Sequence, residues 1–398
     1  MEKLIVKNFG PIKEAEIDLT KYVVFIGDTS TGKSVLAKLI SIFRDNDLTF
    51  AIDRLEELRK LFIHYNIDFS FKKSSFEYIN DSLKIAVFNR EIKVFENENL
   101  LIFDEDSDRH RYTKKEALID INNRINKILK NDKNLYGFEE IDEVKKMLEE
   151  FIAVNKKSPY SLPIYIPAER ILVSMLSTSV SGLWANNVAL PSCFKDFSAR
   201  YEVARKEIKE LYFEPFGIQY NSDNESDYVK FENNEYRLTQ TSSGIQSLMP
   251  LLLVFEYEIN YSNNKLNKTI LIEEPELNLF PIKQKKLIDC IIQKIRLTDH
   301  KLIITTHSPY ILSSLDTLML AKNTFNEHSD LKEEIAAIVS EDKWIDYDDI
   351  SVYEVRNDGK VYSIKNEEFR SIDANAIDGV SDIISEEFDK LTELRYAH

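Results

Sequence analysis

The chain has 398 residues, 43% of them hydrophobic and 30% charged, which is enough for large hydrophobic cores and for two or three domains. Asp and Glu number 68 against 52 Lys and Arg, and the resulting formal net charge of −16 excludes a surface that binds nucleic acid over its whole extent. Glycine occurs only 9 times, which excludes glycine-rich linkers and collagen-like repeats and makes any glycine cluster informative.

The cysteines and the apolar runs of the chain indicate the cellular compartment of the protein. Cys193 and Cys290 are far apart and form no C-x-x-C motif, which indicates a reducing compartment and argues against disulfides or a cysteine zinc site. The N-terminus has no apolar signal core, and the longest uncharged run, between Arg170 and Lys195, contains many Ser, Thr and Asn residues. We therefore expect a cytoplasmic protein without a membrane span.

The hydrophobic pattern predicts an α/β fold with a mainly parallel core sheet. Residues 3–8 and 14–19 alternate between apolar and polar around Gly10, which predicts a strand pair in a β-rich N-terminal subdomain. A helix is predicted over 33–43. Short, largely apolar runs typical of buried parallel strands lie at 23–26, 164–167, 269–273 and 301–306.

The segment 45–159 differs in composition, being rich in Lys, Glu, Asn and aromatic residues, and predicts an inserted α+β lobe. Helical patterns in this segment lie at 52–63, 114–130 and 139–154. Strand-like runs lie between them, at 84–95 and 100–103. No heptad pattern is sustained over three or four repeats, so long coiled-coil arms are not expected.

Further along the chain, a helical pattern at 194–213 is followed by alternating stretches at 217–221 and 228–238. The segment SVYEVRNDGKVYSI predicts a hairpin with Asp358-Gly359 at its turn. A last amphipathic helix is predicted over about 377–395.

A phosphate-binding loop is predicted between the strand at 23–26 and the helix at 33–43. The loop matches G-x-x-x-x-G-K-[ST] and consists of Gly27, Asp28, Thr29, Ser30, Thr31, Gly32, Lys33 and Ser34. Backbone N–H groups of such a loop and the following helix N-terminus cradle phosphate oxygens. Lys33 would reach the β- and γ-phosphates and Ser34 would hold Mg²⁺, so the motif predicts a nucleotide site.

Polar residues follow two of the apolar strands. Glu273 and Glu274 end one of them, where Glu273 suits the shell of Mg²⁺ and Glu274 suits the carboxylate that orients and polarises the attacking water. His307 ends the next, where it can hydrogen-bond a γ-phosphate oxygen. Because ligands of α/β proteins bind at the carboxyl ends of the strands, we expect all three near the phosphate-binding loop.

A second anion-binding element is predicted at residues 242–247, about 30 residues before Glu274. Ser243 and Gly244 lie there at the predicted start of an apolar helix. Small polar residues and glycine at a helix N-terminus leave backbone N–H groups free to bind an anion.

These four elements, in this order, resemble the ABC-type ATPase head of the RecF/SMC/OLD group. Three stretches resemble its AAA_15-like, OLD-type members, which are common in bacterial defence systems: LIVKNFGPIKEAEIDL at 4–19, YIPAER at 165–170 and EEPELNLFP at 273–281. The resemblance implies ATP and Mg²⁺ as ligands and a sandwich dimer around ATP. Residues 27–34, Glu273, Glu274 and His307 of one subunit would face Ser243 and Gly244 of the other. Residues 276–278 would form the connecting D-loop, and 242–247 is called the signature segment below.

The resemblance also implies a domain organisation. The ATPase core would be discontinuous and comprise 1–44, 160–170 and 236–330. Residues 45–159 would be the inserted lobe and 171–235 a helical arm leading to the signature segment. The hairpin and helix in 331–398 would complete the head.

Some residues depart from the group's pattern. Glu273 stands where an aspartate is usual, and the longer carboxylate would slow hydrolysis or alter the reach to the metal. Asn278 and Phe280 occupy D-loop positions that often carry histidine. No clear Q-loop glutamine is present; Glu169 and Arg170 stand in that segment, and an ion pair that ties down the core strand is the alternative to a role in the site.

Effector chemistry is not evident within this chain. OLD nucleases carry a C-terminal Toprim domain, but Asp346-Tyr347-Asp348 lacks the preceding glutamate-ended strand and reads as a solvated acidic loop. A guanine-reading N-K-x-D motif is also lacking, because Asn267 stands where its aspartate would be.

Two helix faces carry basic residues that could follow a phosphate backbone. Their members are Lys283, Lys285, Lys286, Lys294 and Arg296, and Arg200, Arg205, Lys206 and Lys209. Acidic residues and apolar faces are interspersed with them, so solvated helix surfaces are the alternative.

The sequence therefore favours an ATPase that forms dimers or larger homo-oligomers through ATP and regulates a separate effector, such as a nuclease or toxin. Antiphage defence is implied by the family resemblance. Two alternatives stay open: a DNA-repair or chromosome-maintenance ATPase that clamps DNA, and a nucleotide-gated scaffold with little turnover.

Overall fold

The computed structural model describes residues 2–45, 48, 51, 53–80, 83–88, 91–96, 162–176, 190–223, 226–232, 234–262, 267–373, 385–392 and 395. The strands are β1 (Lys3–Phe9), β2 (Ile12–Asp18), β3 (Tyr22–Ile26), β4 (Ser75–Ile79), β5 (Leu83–Phe88), β6 (Glu91–Glu96), β7 (Leu162–Ile166), β8 (Glu210–Phe213), β9 (Ile218–Ser222), β10 (Asp227–Phe231), β11 (Asn234–Arg237), β12 (Lys268–Glu273), β13 (Lys301–Thr306), β14 (Ile350–Val355), β15 (Val361–Ser363), β16 (Lys365–Asn366) and β17 (Ser371–Ile372). The main helices are α1 (Lys33–Phe43), α2 (Arg54–His64), α3 (Ile171–Leu176), α4 (Ser192–Glu207), α5 (Ser243–Glu256), α6 (Pro281–Arg296), α7 (Pro309–Glu327) and α8 (Lys332–Ile338).

A six-stranded sheet forms the centre of the molecule, in the order β15-β14-β3-β13-β12-β7. All its pairs are parallel except β14 with β15, which confirms the mainly parallel core sheet. The register pairs Glu273 with Thr305 and Thr306 with Ile26, so the carboxyl ends of β12, β13 and β3 meet at one edge. The strands are apolar because both faces of the sheet are covered.

The N-terminal strand pair belongs to a five-stranded antiparallel sheet, in the order β2-β1-β4-β5-β6. Helix α1 lies between this sheet and the central sheet, because Leu36 and Leu39 belong to the same apolar cluster as Leu4 of β1 and Val23 of β3. The predicted boundary between residues 44 and 45 therefore divides one sheet, since β4 of the expected inserted lobe pairs directly with β1. The pairing is long-range, which a local pattern does not reveal.

The predicted helix at 52–63 is confirmed as α2, and the strand-like run at 84–95 is the hairpin of β5 and β6. The predicted strand at 100–103 and the predicted helices at 114–130 and 139–154 lie outside the described residues.

The expectation of a helical arm over 171–235 needs correction. Within the described part of this segment, α4 ends at Glu207, short of the predicted residue 213, and β8 to β11 form a four-stranded antiparallel sheet that extends to Arg237. Phe197 of α4 and Tyr220 of β9 belong to the same apolar cluster as Ile272 of the central sheet. These residues therefore pack on the core rather than project from it.

The C-terminal hairpin is confirmed, with β14 and β15 joined through the turn at Gly359. Asp346 and Asp348, just before the hairpin, pair with Arg370, which follows it, at 3.8 and 3.1 Å, and both carboxylates are solvent-accessible, as expected of an acidic surface loop. Of the predicted helix over 377–395, the described residues 385–392 are helical. Within the described part of the chain, no helix has the length and apolar character needed to cross a membrane.

Candidate functional site

The phosphate-binding loop connects β3 to α1 at the carboxyl edge of the central sheet. Its glycines are required by close packing: a Cβ at Gly27, whose φ is 153°, would lie 2.2 Å from the carbonyl oxygen of Val355 in β14. Gly32 has φ of 110° and Ser30 has φ of 64°, so the backbone turns through conformations that side chains disfavour. The loop is therefore shaped by its own glycines and by the adjoining C-terminal hairpin.

The lysine of the loop lies inside it. The Lys33 ammonium donates to the carbonyl oxygens of Gly27 at 3.0 Å and Asp28 at 2.7 Å. Burial lowers the pKa of Lys33, and the charges of Glu274 and Asp28 oppose that shift. The lysine charge is thus surrounded by the acidic groups expected to act with it.

The other loop residues brace its first turn. The Thr31 hydroxyl donates to the Asp28 carbonyl at 2.9 Å, and the Thr29 N–H donates to the Asp28 carboxylate at 2.7 Å. The Thr29 N–H lowers the pKa of Asp28, with a further contribution from the side chain of Asn357 in the hairpin turn. The hairpin therefore contacts the loop through side chains as well as backbone.

Glu273 is buried at the end of β12 and meets partners from two other elements. The Tyr165 hydroxyl of β7 donates to Glu273 Oε2 at 2.9 Å, and Lys38 Nζ of α1 lies 3.8 Å from Glu273 Oε1. Burial raises the pKa of Glu273, while Lys38, Tyr165 and Ser34 favour its charged form. Oε1 is buried without a hydrogen-bond partner among the described residues.

This unsatisfied oxygen and the neighbouring Ser34 hydroxyl fit a magnesium ion. Mg²⁺ prefers oxygen ligands and is usually held by one or two protein groups together with water and substrate phosphates. Among the described residues, no group of three or more His, Cys, Asp or Glu side chains could hold a metal by itself. A site made of Ser34, Glu273 and phosphate oxygens is consistent with both observations.

Glu274 and His307 come together at the same edge. Their Oε1 and Nε2 atoms are 3.3 Å apart, and each side chain is about one third exposed. The Glu274 backbone is left-handed, with φ of 44°, and its N–H donates to the Thr305 carbonyl of β13 at 2.8 Å. The sheet therefore delivers a carboxylate and an imidazole to one accessible position.

Glu276 joins the D-loop to the histidine. Its Oε1 accepts from the Thr306 hydroxyl and from the His307 N–H, both at 2.7 Å. Its Oε2 is buried without a hydrogen-bond partner among the described residues. The segment expected to form the D-loop thus contacts the histidine turn through Glu276, a contact that the sequence did not indicate.

A second connection runs through Gln284 of α6. Its side chain donates to the Leu279 carbonyl at 2.9 Å and accepts from the Ser308 hydroxyl at 2.6 Å. The D-loop and the histidine turn are therefore held together on both sides.

Ser243 and Gly244 form the first turn of α5, as predicted. Ser242, the N-cap, makes no side-chain capping bond, so the first N–H groups of this helix are not satisfied by it. A Cβ at Gly244 would lie 2.6 Å from the Asn278 carbonyl oxygen. The glycine is thus explained within one chain by the close approach of α5 to the D-loop.

The ion pair that was one of the two alternatives for Glu169 and Arg170 does not describe the bonds that Arg170 makes. Arg170 is 1% exposed, and its hydrogen bonds go to backbone carbonyl oxygens of Glu273, Glu274 and Pro275, among others. Glu169 is exposed. Arg170 therefore does hold the end of a core strand in place. The strand is β12, and the contacts are hydrogen bonds to its carbonyl groups and those just after it.

Several members of the two basic faces have acidic partners in the same chain. Ion pairs join Lys285 to Asp289, Lys294 to Glu256, Arg200 to Glu258 and Arg205 to Asp227, at 2.6–2.8 Å. The Arg205 pair is buried, where it joins α4 to β10. These pairs favour the interpretation as structural and solvated helix surfaces.

The structure thus brings the loop, Glu273, Glu274 and His307 together, and sets Ser243 and Gly244 beside the D-loop. Sequence reasoning missed Tyr165 and Lys38. Lys38 is four residues after Ser34 on α1, a spacing that puts both on one helix face and could have indicated it. Tyr165 had no such local signal, because β7 and β12 are neighbours only in the folded sheet.

Comparison with known proteins gives one family match and several structural matches. The model of the AAA_15 family, described as AAA ATPase domain, matches residues 1–312. A comparison with curated proteins finds no match.

Among solved structures, the chain is similar to an Smc head bound to the C-terminal winged-helix domain of ScpA, with 13% identity and a TM-score of 0.37 over 91% of this chain and 96% of that one. It is also similar to an Smc head with an extended coiled coil, bound to a ScpA domain derived from Pyrococcus furiosus, with 12% identity and a TM-score of 0.35 over 99% and 100%. An SMC head from Thermotoga maritima matches with 12% identity and a TM-score of 0.37 over 78% and 90%.

Proposed function

Because the chain belongs to the AAA_15 family of AAA ATPase domains, we propose that it binds ATP with Mg²⁺ and hydrolyses the ATP to ADP and phosphate. The observation that carries the proposal is the meeting of Lys33, Glu273, Glu274 and His307 at one edge of the parallel sheet. A cation, two carboxylates and an imidazole at this edge are the groups that phosphoryl transfer to water requires.

Nucleotide binding is assigned to residues 27–34 and the N-terminus of α1. Backbone N–H groups of the loop would hold the phosphate oxygens, and Lys33 would turn from the carbonyls of Gly27 and Asp28 to the β- and γ-phosphates. Ser34 and Glu273 would hold Mg²⁺, which neutralises phosphate charge when bound. Tyr165 and Lys38 keep the Glu273 carboxylate oriented for that role.

Hydrolysis is assigned to Glu274 with His307. Glu274 would orient a water molecule and accept its proton as the water oxygen forms a bond to the γ-phosphorus. The bond between that phosphorus and the bridging oxygen to the β-phosphate breaks, and ADP leaves with the electron pair. His307 would donate a hydrogen bond to a γ-phosphate oxygen.

The first turn of α5, whose N-cap Ser242 makes no side-chain capping bond, supports assembly around the nucleotide. Ser243 and Gly244 present a helix N-terminus and a small residue, which suit a phosphate supplied with the nucleotide of a second copy. We assign the active form to an ABC-type sandwich homodimer or a larger homo-oligomer of this kind. The RecF/SMC/OLD resemblance of the motifs is the ground for this arrangement.

The biological role is assigned from the same resemblance. ATP-dependent assembly would regulate a separate effector protein, a nuclease or a toxin, in antiphage defence. The competing role, a DNA clamp, requires free basic residues, and the pairing of Lys285, Lys294, Arg200 and Arg205 with acidic partners argues against it. Salt-sensitive DNA binding that requires ATP would favour the clamp.

Phosphate release by the purified wild-type protein, with Mg²⁺ and then with excess chelator, tests the proposal. We expect release with Mg²⁺ and none with chelator. Lys33→Ala should abolish release, while Lys286→Ala, a change of an exposed lysine on α6, should leave it unchanged. Wild-type protein that binds ATP without releasing phosphate would support the nucleotide-gated scaffold instead, and failure to bind ATP would refute the proposal.

A further inference from the structure

The guanidinium of Arg170 is almost completely enclosed by backbone carbonyl groups at the end of β12. It donates to the carbonyl oxygens of Glu273 at 2.8 Å, Glu274 at 2.7 Å and Pro275 at 3.3 Å. Arg170 is 1% exposed, and burial lowers its pKa to about 10 although the surrounding glutamates favour its charge. A side chain that is still charged at neutral pH therefore donates its hydrogen bonds to the carbonyl groups of three successive residues.

The middle one of these peptide groups is strained. Glu274 has φ of 44°, in the left-handed region that residues with a side chain rarely adopt. Such a conformation costs about 1–3 kcal/mol and persists only where the surroundings hold it. Two hydrogen bonds stabilise this conformation: Arg170 donates to the Glu274 carbonyl, and the Glu274 N–H donates to the Thr305 carbonyl.

The same guanidinium also reaches the helix that begins with the signature segment. Arg170 Nε donates to the Ser247 carbonyl of α5 at 3.1 Å. A neighbouring bond also reaches α5, but from helix α3, which directly follows Arg170, and without touching β12: the Ser174 hydroxyl donates to the Gln246 carbonyl at 2.6 Å. Unlike the bond from Ser174, the one from Arg170 is continued to Glu274 by the same side chain.

We propose that Arg170 is a positioning residue that fixes the backbone of Glu274 for hydrolysis and links it to the first turns of α5. This inference rests on the proposed ATPase function and adds a route for its regulation. A displacement of α5, when Ser243 and Gly244 meet the nucleotide of a second copy, would pass through the Ser247 carbonyl and Arg170 to Glu274. Each active site would then depend on the contact that its own subunit makes with the other.

Arg170→Lys tests this role, because lysine keeps a charge but has one nitrogen in place of the three that donate separately to Ser247, Glu273 and Glu274. Single-turnover hydrolysis should slow by about 10- to 100-fold, the loss expected when a catalytic group shifts by a fraction of an ångström to an ångström. The dissociation constant of a non-hydrolysable ATP analogue should change by less than about threefold, because the phosphate-binding loop is not altered. Ser174→Ala, the matched control, should leave the hydrolysis rate unchanged.

A double-variant comparison separates positioning from general loss of structure. In a Glu274→Gln background, Arg170→Lys should slow the residual hydrolysis by less than about twofold, because the carboxylate that it positions is already absent. An equal loss in both backgrounds, or an unchanged rate in Arg170→Lys alone, would overturn the inference. If Arg170→Lys does not fold, Arg170→Gln, which keeps two N–H donors, takes its place with the same expectations. Absence of hydrolysis in the wild type would instead refute the proposed function.

Discussion

Glu274 Oε1 and His307 Nε2 lie 3.3 Å apart although 33 positions separate the two residues in the chain. They meet because β12 and β13 are parallel neighbours, with Glu273 opposite Thr305 in the register. Glu276 then fixes the histidine turn by accepting from the His307 N–H. The pair is therefore positioned by sheet register and by one carboxylate of the D-loop.

Replacement of the histidine should affect turnover more than binding. His307→Asn shortens the side chain and removes its approach to Glu274, so we expect kcat for ATP hydrolysis to fall by about 10- to 100-fold. The KM for ATP should change by only a few-fold, because the phosphate-binding loop carries most of the binding. His328→Asn, at an exposed position after α7, is the control and should behave as wild type. A normal kcat in His307→Asn would remove the histidine from the mechanism.

The acceptor role of Glu276 can be separated from its charge. Glu276→Gln keeps an oxygen for the Thr306 hydroxyl and the His307 N–H, so we expect kcat within about threefold of wild type. Glu276→Ala removes that oxygen and frees the histidine turn, and kcat should fall by about tenfold or more. Steady-state kinetics of the two variants distinguish the roles. If both lose activity equally, the charge of Glu276 near Lys33 matters more than its hydrogen bonds.

The signature glycine should tolerate no side chain. In Gly244→Ala the added Cβ would lie 2.6 Å from the Asn278 carbonyl, so α5 or the D-loop has to shift. We expect a loss of about 1–3 kcal/mol in the free energy of unfolding and a marked loss of ATP hydrolysis. Gly217→Ala is a useful comparison, because the left-handed φ of 64° at this position would be strained for alanine but its Cβ would meet no atom of the described structure within 4 Å. It should lower stability by about 1–2 kcal/mol and leave the hydrolysis rate of the folded protein unchanged.

A buried ion-pair cluster far from the site predicts a pH dependence of stability. Glu2 pairs with Arg44 at 2.6 Å and also with Lys301; burial opposes ionisation, but these charges lower the pKa of Glu2 to about 2, from 4.5. A carboxyl with a depressed folded-state pKa stabilises the fold above pH 4.5 and loses that contribution as the pH falls toward 2. The shift corresponds to about 3 kcal/mol at neutral pH.

Glu2→Gln should therefore lower the free energy of unfolding by about 2–3 kcal/mol at pH 7. Denaturant titrations of both proteins at several pH values check this. The difference between them should be constant from pH 6 to 8 and shrink below pH 4.5. A difference that grows as the pH falls would have the wrong sign and would refute the interpretation.

Local sequence patterns were enough to predict the features that are determined by residues close together in the chain. The loop at 27–34, the strand ends at Glu273 and His307 and the hairpin turn at Gly359 each have a signal within a few residues, because turn chemistry and strand burial act over that range. The alternating stretches at 217–221 and 228–238 likewise indicated β9, β10 and β11. The pairing of β1 with β4 and the assembly of β8 to β11 into one sheet had no local signal, since each depends on partners chosen during folding.

The same distinction separates the site residues whose roles could be predicted from Arg170, whose role stayed open, and Tyr165, which was missed. Arg170 follows β7, yet its partners are carbonyl groups of β12 and α5, which any residue type could supply. A sequence records the arginine but not the backbone atoms around it. Tyr165 is comparable, because its hydroxyl meets Glu273 only through the neighbouring registers of β7 and β12.

Phosphate release by wild-type protein and Glu274→Gln, at saturating ATP and Mg²⁺, tests the central claim most directly. The substitution keeps the shape of the side chain and removes the group assigned to accept the proton, so release should slow by about 100-fold or more. Bound ATP should persist in Glu274→Gln, and ATP-dependent dimers or larger assemblies should accumulate. Equal rates of phosphate release in the two proteins would contradict the account.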